Sequence, residues 1–170
     1  HANLNSVNYY FGSKQELYVE VMRYQVALSD AAHPQVMRDA APGDDPALEL
    51  RAAVRRLVTF MLDPNSLLPR LYALEPVNPR PAFESAAAGG FEQSALHGAV
   101  RALLGPRADD KLVARCVRTV YSQCAYYMLV RKVLPIVDPG FVADERTLDE
   151  LTHHITEFTL GGIARLKPAP

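Results

Sequence analysis

Five histidines and two cysteines are the side chains with which this 170-residue chain could ligate a metal or run nucleophilic chemistry. Their spacing supports neither. His1, His33, His97, His153 and His154 form no His-Glu-x-x-His pair or other ligand spacing. Adjacent His153 and His154 project about 100° apart on a helix and cannot both face one ion. Cys116 and Cys124 share a helical column, but about 12 Å of rise separates them, too far for a bridge. No third ligand follows at zinc-like spacing. They read as buried apolar thiols, which suit a reducing cytosol, so a cytoplasmic location is expected. The chain has no Gly-x-Ser-x-Gly and no phosphate-cradling glycine loop. The expectation is a protein that is not an enzyme, with no cofactor and no metal.

What positions the remaining groups is helix. The chain is 49% hydrophobic and 22% charged, which excludes wholesale disorder. Eighteen basic against 19 acidic residues exclude a surface given over wholly to nucleic acid, though not a small basic face. No apolar run is long enough to span a membrane, and no membrane partner is expected. Ser13-Lys14-Gln15-Glu16 has the form of a capping box, followed by a stripe at Leu17, Val21, Tyr24 and Leu28. Pro34 and Pro42-Gly43 interrupt, and Asp45-Pro46 restarts a helix with a stripe at Leu50, Val54, Leu57, Val58 and Met61. Further helices are expected over about 67–74, 82–104, 109–134 and 145–166, the last with a capping box at Thr147-Leu148-Asp149-Glu150. Period-2 alternation is absent. The chain reads as all-α, with about seven helices.

The last two long helices carry unusually wide apolar arcs. One holds Leu112, Cys116, Val120, Cys124 and Met128 beside Val113, Val117, Tyr121 and Ala125. The other holds Leu148, Leu151, Ile155, Phe158, Gly162 and Leu166. Gly161-Gly162 within a helix costs roughly 1–2 kcal/mol relative to alanine, a cost usually offset by close approach of another helix. Two readings fit. The pair meets its own copy in a twofold four-helix interface through Val120, Cys124, Ile155, Phe158, Gly162 and Leu166, or both helices are central in a monomer.

Residues 3–18 read Asn-Leu-Asn-Ser-Val-Asn-Tyr-Tyr-Phe-Gly-Ser-Lys-Gln-Glu-Leu-Tyr: a short polar helix capped by Asn3, a turn at Gly12, and a capped helix opening at Lys14. This resembles the recognition helix and following helix of the tetracycline-repressor (TetR) family, whose signature ends in Tyr-x-x-Phe-x-x-Lys-x-x-Leu. Asn8 stands at the first aromatic position; Tyr10-Phe11, Lys14 and Leu17 match. Leu74-Glu75-Pro76 with Pro79 and Pro81-Ala82-Phe83, Tyr121-Ser122-Gln123-Cys124 with Tyr126-Tyr127, and the stretch from His154 to Gly162 are similar to a CerR-type C-terminal domain of that family.

The resemblance implies a TetR-like helical bundle with a four-helix dimer interface from the last two long helices. Residues 1–32 would be the remnant of the helix-turn-helix domain plus connecting helix, and 33–170 the ligand-binding and dimerisation domain. It also implies that the two helices bracing the recognition helix lie upstream of His1, so that residues 1–170 alone hold negligible sequence-specific affinity. The implied partner is double-stranded operator DNA, met by Asn3, Asn5, Ser6, Asn8, Tyr9, Tyr10 and Lys14. The short polar and phenolic groups suit base edges and phosphates, and Lys14 adds a cation to free helix amides. Tyr9 and Tyr10 also fit an aromatic plug between helices, as does Phe11, and Lys14 also fits a solvated surface lysine. The family further implies a cavity for a small-molecule effector that moves the DNA-binding heads. Candidate lining groups are Tyr72, Glu75, Phe91, His97, Tyr121, Gln123, Cys124, Tyr126 and Tyr127. The function implied is a ligand-responsive bacterial transcriptional regulator, a repressor released from its operator by the effector. The alternative is a helical ligand-binding or protein-interaction module without DNA binding.

Overall fold

The computed structural model describes residues 9–21, 24, 45–65, 67 and 95–169. Among the described residues every regular element is helical, as the 3.6 periodicity requires. Two short helical runs, 9–11 and 14–21, flank Gly12 and Ser13. Five further helices follow: α1 (Pro46–Leu62), α2 (Ala95–Leu104), α3 (Asp110–Val130), the single turn α4 (Leu134–Val137) and α5 (Glu145–Leu166). The helix expected over 67–74, the proline-rich stretch after it and the start of the helix expected from residue 82 lie outside the described residues.

Helix α1 is the hub. Its start is fixed by Asp45, whose carboxylate accepts from the Ala47 amide at 2.8 Å, with Pro46 in the first turn, where no amide is needed. The stripe Leu50, Val54, Val58 and Met61 is buried, and Ala53 and Leu62 widen it, so α1 packs against α2, α3 and α5 together. Leu57, expected in that stripe, is half-buried at its edge. Helix α2 meets α1 through Leu96, Ala99, Val100 and Leu104. Gly105 closes it at φ +83°, its amide donating to the Arg101 carbonyl at 3.0 Å. Asp109 then caps α3 by accepting from Leu112 N at 2.7 Å, and Val113, Cys116, Val117, Val120 and Cys124 complete the core.

One boundary and one cap differ from expectation. The helix expected to run to residue 134 stops at Val130, because a tight turn (Val133 N to Val130 O, 2.7 Å) precedes α4. The cap of α5 is Asp144, which accepts from Thr147 N at 2.9 Å, so Thr147 sits inside the first turn rather than capping it. Both Asp144-x-x-Thr147 and Thr147-x-x-Glu150 satisfy a cap pattern; the earlier carboxylate wins because it satisfies the amides of a longer helix. Hydrogen bonds from the Thr147 amide and hydroxyl hold the Asp144 carboxyl below its ordinary range.

The inward face of α5 is also not the most hydrophobic one. It carries Thr152, Ile155, Thr156, Thr159 and Ile163, while Phe158, Gly162 and Leu166 stand in solvent and Leu148 and Leu151 are half-buried. Burying threonine is cheap here. Thr152 donates to the Leu148 carbonyl at 2.6 Å and Thr156 to the Thr152 carbonyl at 2.7 Å, so those two hydroxyls are satisfied within their own helix, whereas the buried Thr159 hydroxyl finds no partner among the described residues. Arg55 of α1 fixes the start of α5, reaching Glu145 at 2.7 Å and Asp149 at 2.8 Å. Arg131, just past α3, donates to the Asp63 carbonyl at the end of α1 at 3.3 Å.

Candidate functional site

Two grooves flank α3. The first, between α2 and α3, has a volume of about 670 Å³, within the range of small-molecule sites. His97 and Arg101 face it from α2, four residues apart and so on one side of that helix; Asp110, Val117, Arg118, Tyr121 and Ser122 face it from α3. Arg101 is immobilised. One guanidinium nitrogen donates to the Ala108 carbonyl at 3.0 Å and the other pairs with Asp110 across the α2–α3 turn. Arg118 is exposed at the groove edge and, among the described residues, its side chain makes no hydrogen bond or ion pair.

The second groove, between α3 and α5, has a volume of about 510 Å³ and is bounded by Arg118, Ser122, Gln123, Tyr126, Tyr127 and His154 among others. Its aromatic wall is ordered by Tyr127, which stacks on Phe141 (6.3 Å, 7°) and meets Tyr126 edge to face at 5.4 Å. Burial raises the Tyr127 phenol, with smaller contributions from Tyr126 and Cys124. Beyond the groove α3 exposes Leu129, and α5 exposes Phe158 and Leu166. Neither Gly161 nor Gly162 is approached by a described residue: a Cβ at either would meet nothing within 4 Å, so the close helix contact expected there is not made among the described residues.

The sequence-derived pocket residues therefore part company. His97 and Tyr121 share the α2–α3 groove, whereas Gln123, Tyr126 and Tyr127 line the α3–α5 groove. Cys124 lines neither; it is sealed in the core, where desolvation pushes its thiol up to about 12. Tyr72, Glu75 and Phe91 lie outside the described residues. Of the six residues expected at a dimer interface, Val120, Cys124 and Ile155 are buried in the chain's own core, leaving Phe158, Gly162 and Leu166 on an open face. Arg101, Asp110 and Arg118 were not anticipated. The only sequence signals for them are the i,i+4 placement of Arg101 after His97 and of Ser122 after Arg118.

Of the residues expected to meet DNA, Asn3, Asn5, Ser6 and Asn8 lie outside the described residues. Tyr9 and Tyr10 are exposed and touch each other edge to face at 5.3 Å. Phe11 keeps 40% of its surface exposed and is not a sealed plug. Gly12 turns the chain at φ +73°, and Ser13 accepts from the Glu16 amide at 3.1 Å, the first half of the expected capping box. Lys14 is exposed at the start of the run 14–21. Among the described residues no cluster of His, Cys, Asp or Glu could hold a metal ion, and no helix is long and apolar enough to cross a membrane.

A comparison with curated proteins finds no match. A family does match: residues 46–163 correspond to the C-terminal domain of the HTH-type transcriptional dual regulator CecR. The matched span takes in α1 to α4 and all but the last turn of α5, that is, the whole hub-and-groove arrangement. The chain belongs to the CecR C-terminal domain family and carries the C-terminal part of a TetR-type transcriptional regulator.

Proposed function

We propose that this protein is a ligand-responsive, DNA-binding repressor that works as a homodimer and leaves its operator when a small molecule binds, with no enzymatic activity. The observation that carries the reading is the family match across the entire bundle. The molecule would be organised in three parts. The exposed Tyr9, Tyr10 and Lys14 belong to the segment that meets DNA, together with Asn3, Asn5, Ser6 and Asn8. The α2–α3 groove takes the effector. The outer faces of α3 and α5 take a second copy, which would supply the approach that Gly161-Gly162 lacks among the described residues and cover Phe158 and Leu166.

An effector shifts an operator-binding equilibrium only if it binds one head spacing better than the other. Helix α3 provides the link, because Arg118 and Ser122 belong to the walls of both grooves. A ligand that displaces α3 by a fraction of a turn also displaces the surface on which the two copies meet. The test is chromatin immunoprecipitation with sequencing from cells that make the protein. Discrete peaks sharing an inverted repeat, with raised transcription of adjacent genes on deletion, are expected, since a twofold dimer reads a palindrome. Enrichment at no discrete sites would remove the regulator reading.

A further inference from the structure

Resting on that reading of the α2–α3 groove, we infer that its effector is a small organic carboxylate, recognised by Arg118. Charge balance is the first ground. Arg101 and Asp110 neutralise each other by direct pairing, so among the described lining residues Arg118 carries the formal charge left over on the groove wall. The second is geometry. Arg101 already spends its guanidinium on Asp110 and the Ala108 carbonyl, which holds it in place as a fixed wall. Arg118 has all five N–H donors available, in the fork that matches a carboxylate's two oxygens. The third is the surroundings. Val117 and Ala114 rise beside Arg118 and supply apolar wall for the body of a ligand, while Tyr121 and Ser122 lie one turn further along α3. One net positive charge beside an apolar wall selects a singly charged amphipathic acid over a neutral or cationic molecule. A polyanion would meet the Asp110 carboxylate and is disfavoured.

Arg118 also borders the α3–α5 groove. Drawing its side chain towards a carboxylate on the α2 side withdraws a cation from the face proposed to meet the second copy. Recognition and release are then joined in one side chain.

The experiment compares matched acids and amides, benzoate against benzamide and 2-naphthoate against 2-naphthamide, by ligand-observed NMR titration of the whole protein. Three proteins are used: wild type, Arg118→Gln and Arg115→Gln. Arg115 lies three residues away on α3; it is absent from the lining of this groove but shares an adjoining, smaller hollow with Arg118, so its variant removes the same charge from the neighbourhood while leaving the groove wall itself intact. Wild type should bind each acid about tenfold more tightly than its amide, the scale of one charge-assisted contact at a partly solvated position. Arg118→Gln should bring the acid down to the level of the amide, and Arg115→Gln should keep the preference. Equal binding of acid and amide to wild type, or an acid preference that survives in Arg118→Gln, overturns the carboxylate assignment and leaves the effector groove standing. If neither member of either pair binds wild type, both the carboxylate assignment and the effector role of this groove fall.

Discussion

Phe158 and Ile155 are one turn apart on α5, yet replacing them by alanine should damage different properties. Phe158 is 65% exposed and meets the His154 ring at 6.3 Å, whereas Ile155 is 1% exposed within the core. Covering a phenylalanine is worth about 1.5–3 kcal/mol, and roughly two-thirds of that remains to be gained by Phe158, about 1–2 kcal/mol per copy. A twofold interface uses each residue twice, so Phe158→Ala should cost about 2–4 kcal/mol of dimerisation, or roughly 30- to 700-fold in Kd. Ile155→Ala should instead cost about 2–5 kcal/mol of folding stability by opening a cavity. Sedimentation velocity over a dilution series reads the first effect. Urea unfolding at high dilution, where association no longer contributes, reads the second. The reasoning is refuted if Phe158→Ala leaves association unchanged, or if it lowers the stability of the isolated chain as much as Ile155→Ala does.

Other outcomes follow from the same structure. Gly105→Ala should destabilise the protein by about 1–2 kcal/mol, because φ +83° is strained for any L side chain while the new Cβ meets only Lys167 Cε at 3.6 Å; thermal unfolding checks it. Cys124 resists deprotonation until about 12, against 9.0 in the unfolded chain, so the unfolded state releases its proton first. Stability should therefore fall as pH rises from 9.0 towards 12, and Cys124→Ala should flatten that part of the slope in urea titrations. In the native protein at pH 8 both thiols should react with a disulfide reagent only as fast as the fold opens; rapid labelling of Cys124 would contradict its burial.

Much of the fold was legible because short-range chemistry dictated it. Asp45-Pro46, Ser13-x-x-Glu16, Gly105 and the limits of α5 are all positions where a cap or a left-handed glycine leaves few alternatives. The orientation of α5 was not legible. Hydropathy ranks Phe158 and Leu166 above Thr152 and Thr156, but a hydroxyl bonded to the carbonyl four residues back is no longer polar in effect, and packing against α1 chose the smaller side chains. The candidate groove was half legible. Looking for aromatic and imidazole groups on apolar faces found His97 and Tyr121, which do meet. Tyr126 and Tyr127 share that character but line the other groove, because residues five or six apart on α3 point to different sides of the helix. Arg118 was missed because an arginine on a helix reads as solvated until the neighbouring helix is in place.

The threonine-lined face of α5 has one more consequence. Since Thr152 and Thr156 direct their hydroxyls back into their own backbone, they contribute no directional bond to the rest of the bundle. A small axial slide of α5 would carry those partners along intact, and what would resist it is the Arg55 clasp to Glu145 and Asp149 at its start and the Arg107 bond to the Ala169 carbonyl just past its end. The helix is seated like a greased rod with a latch at each end.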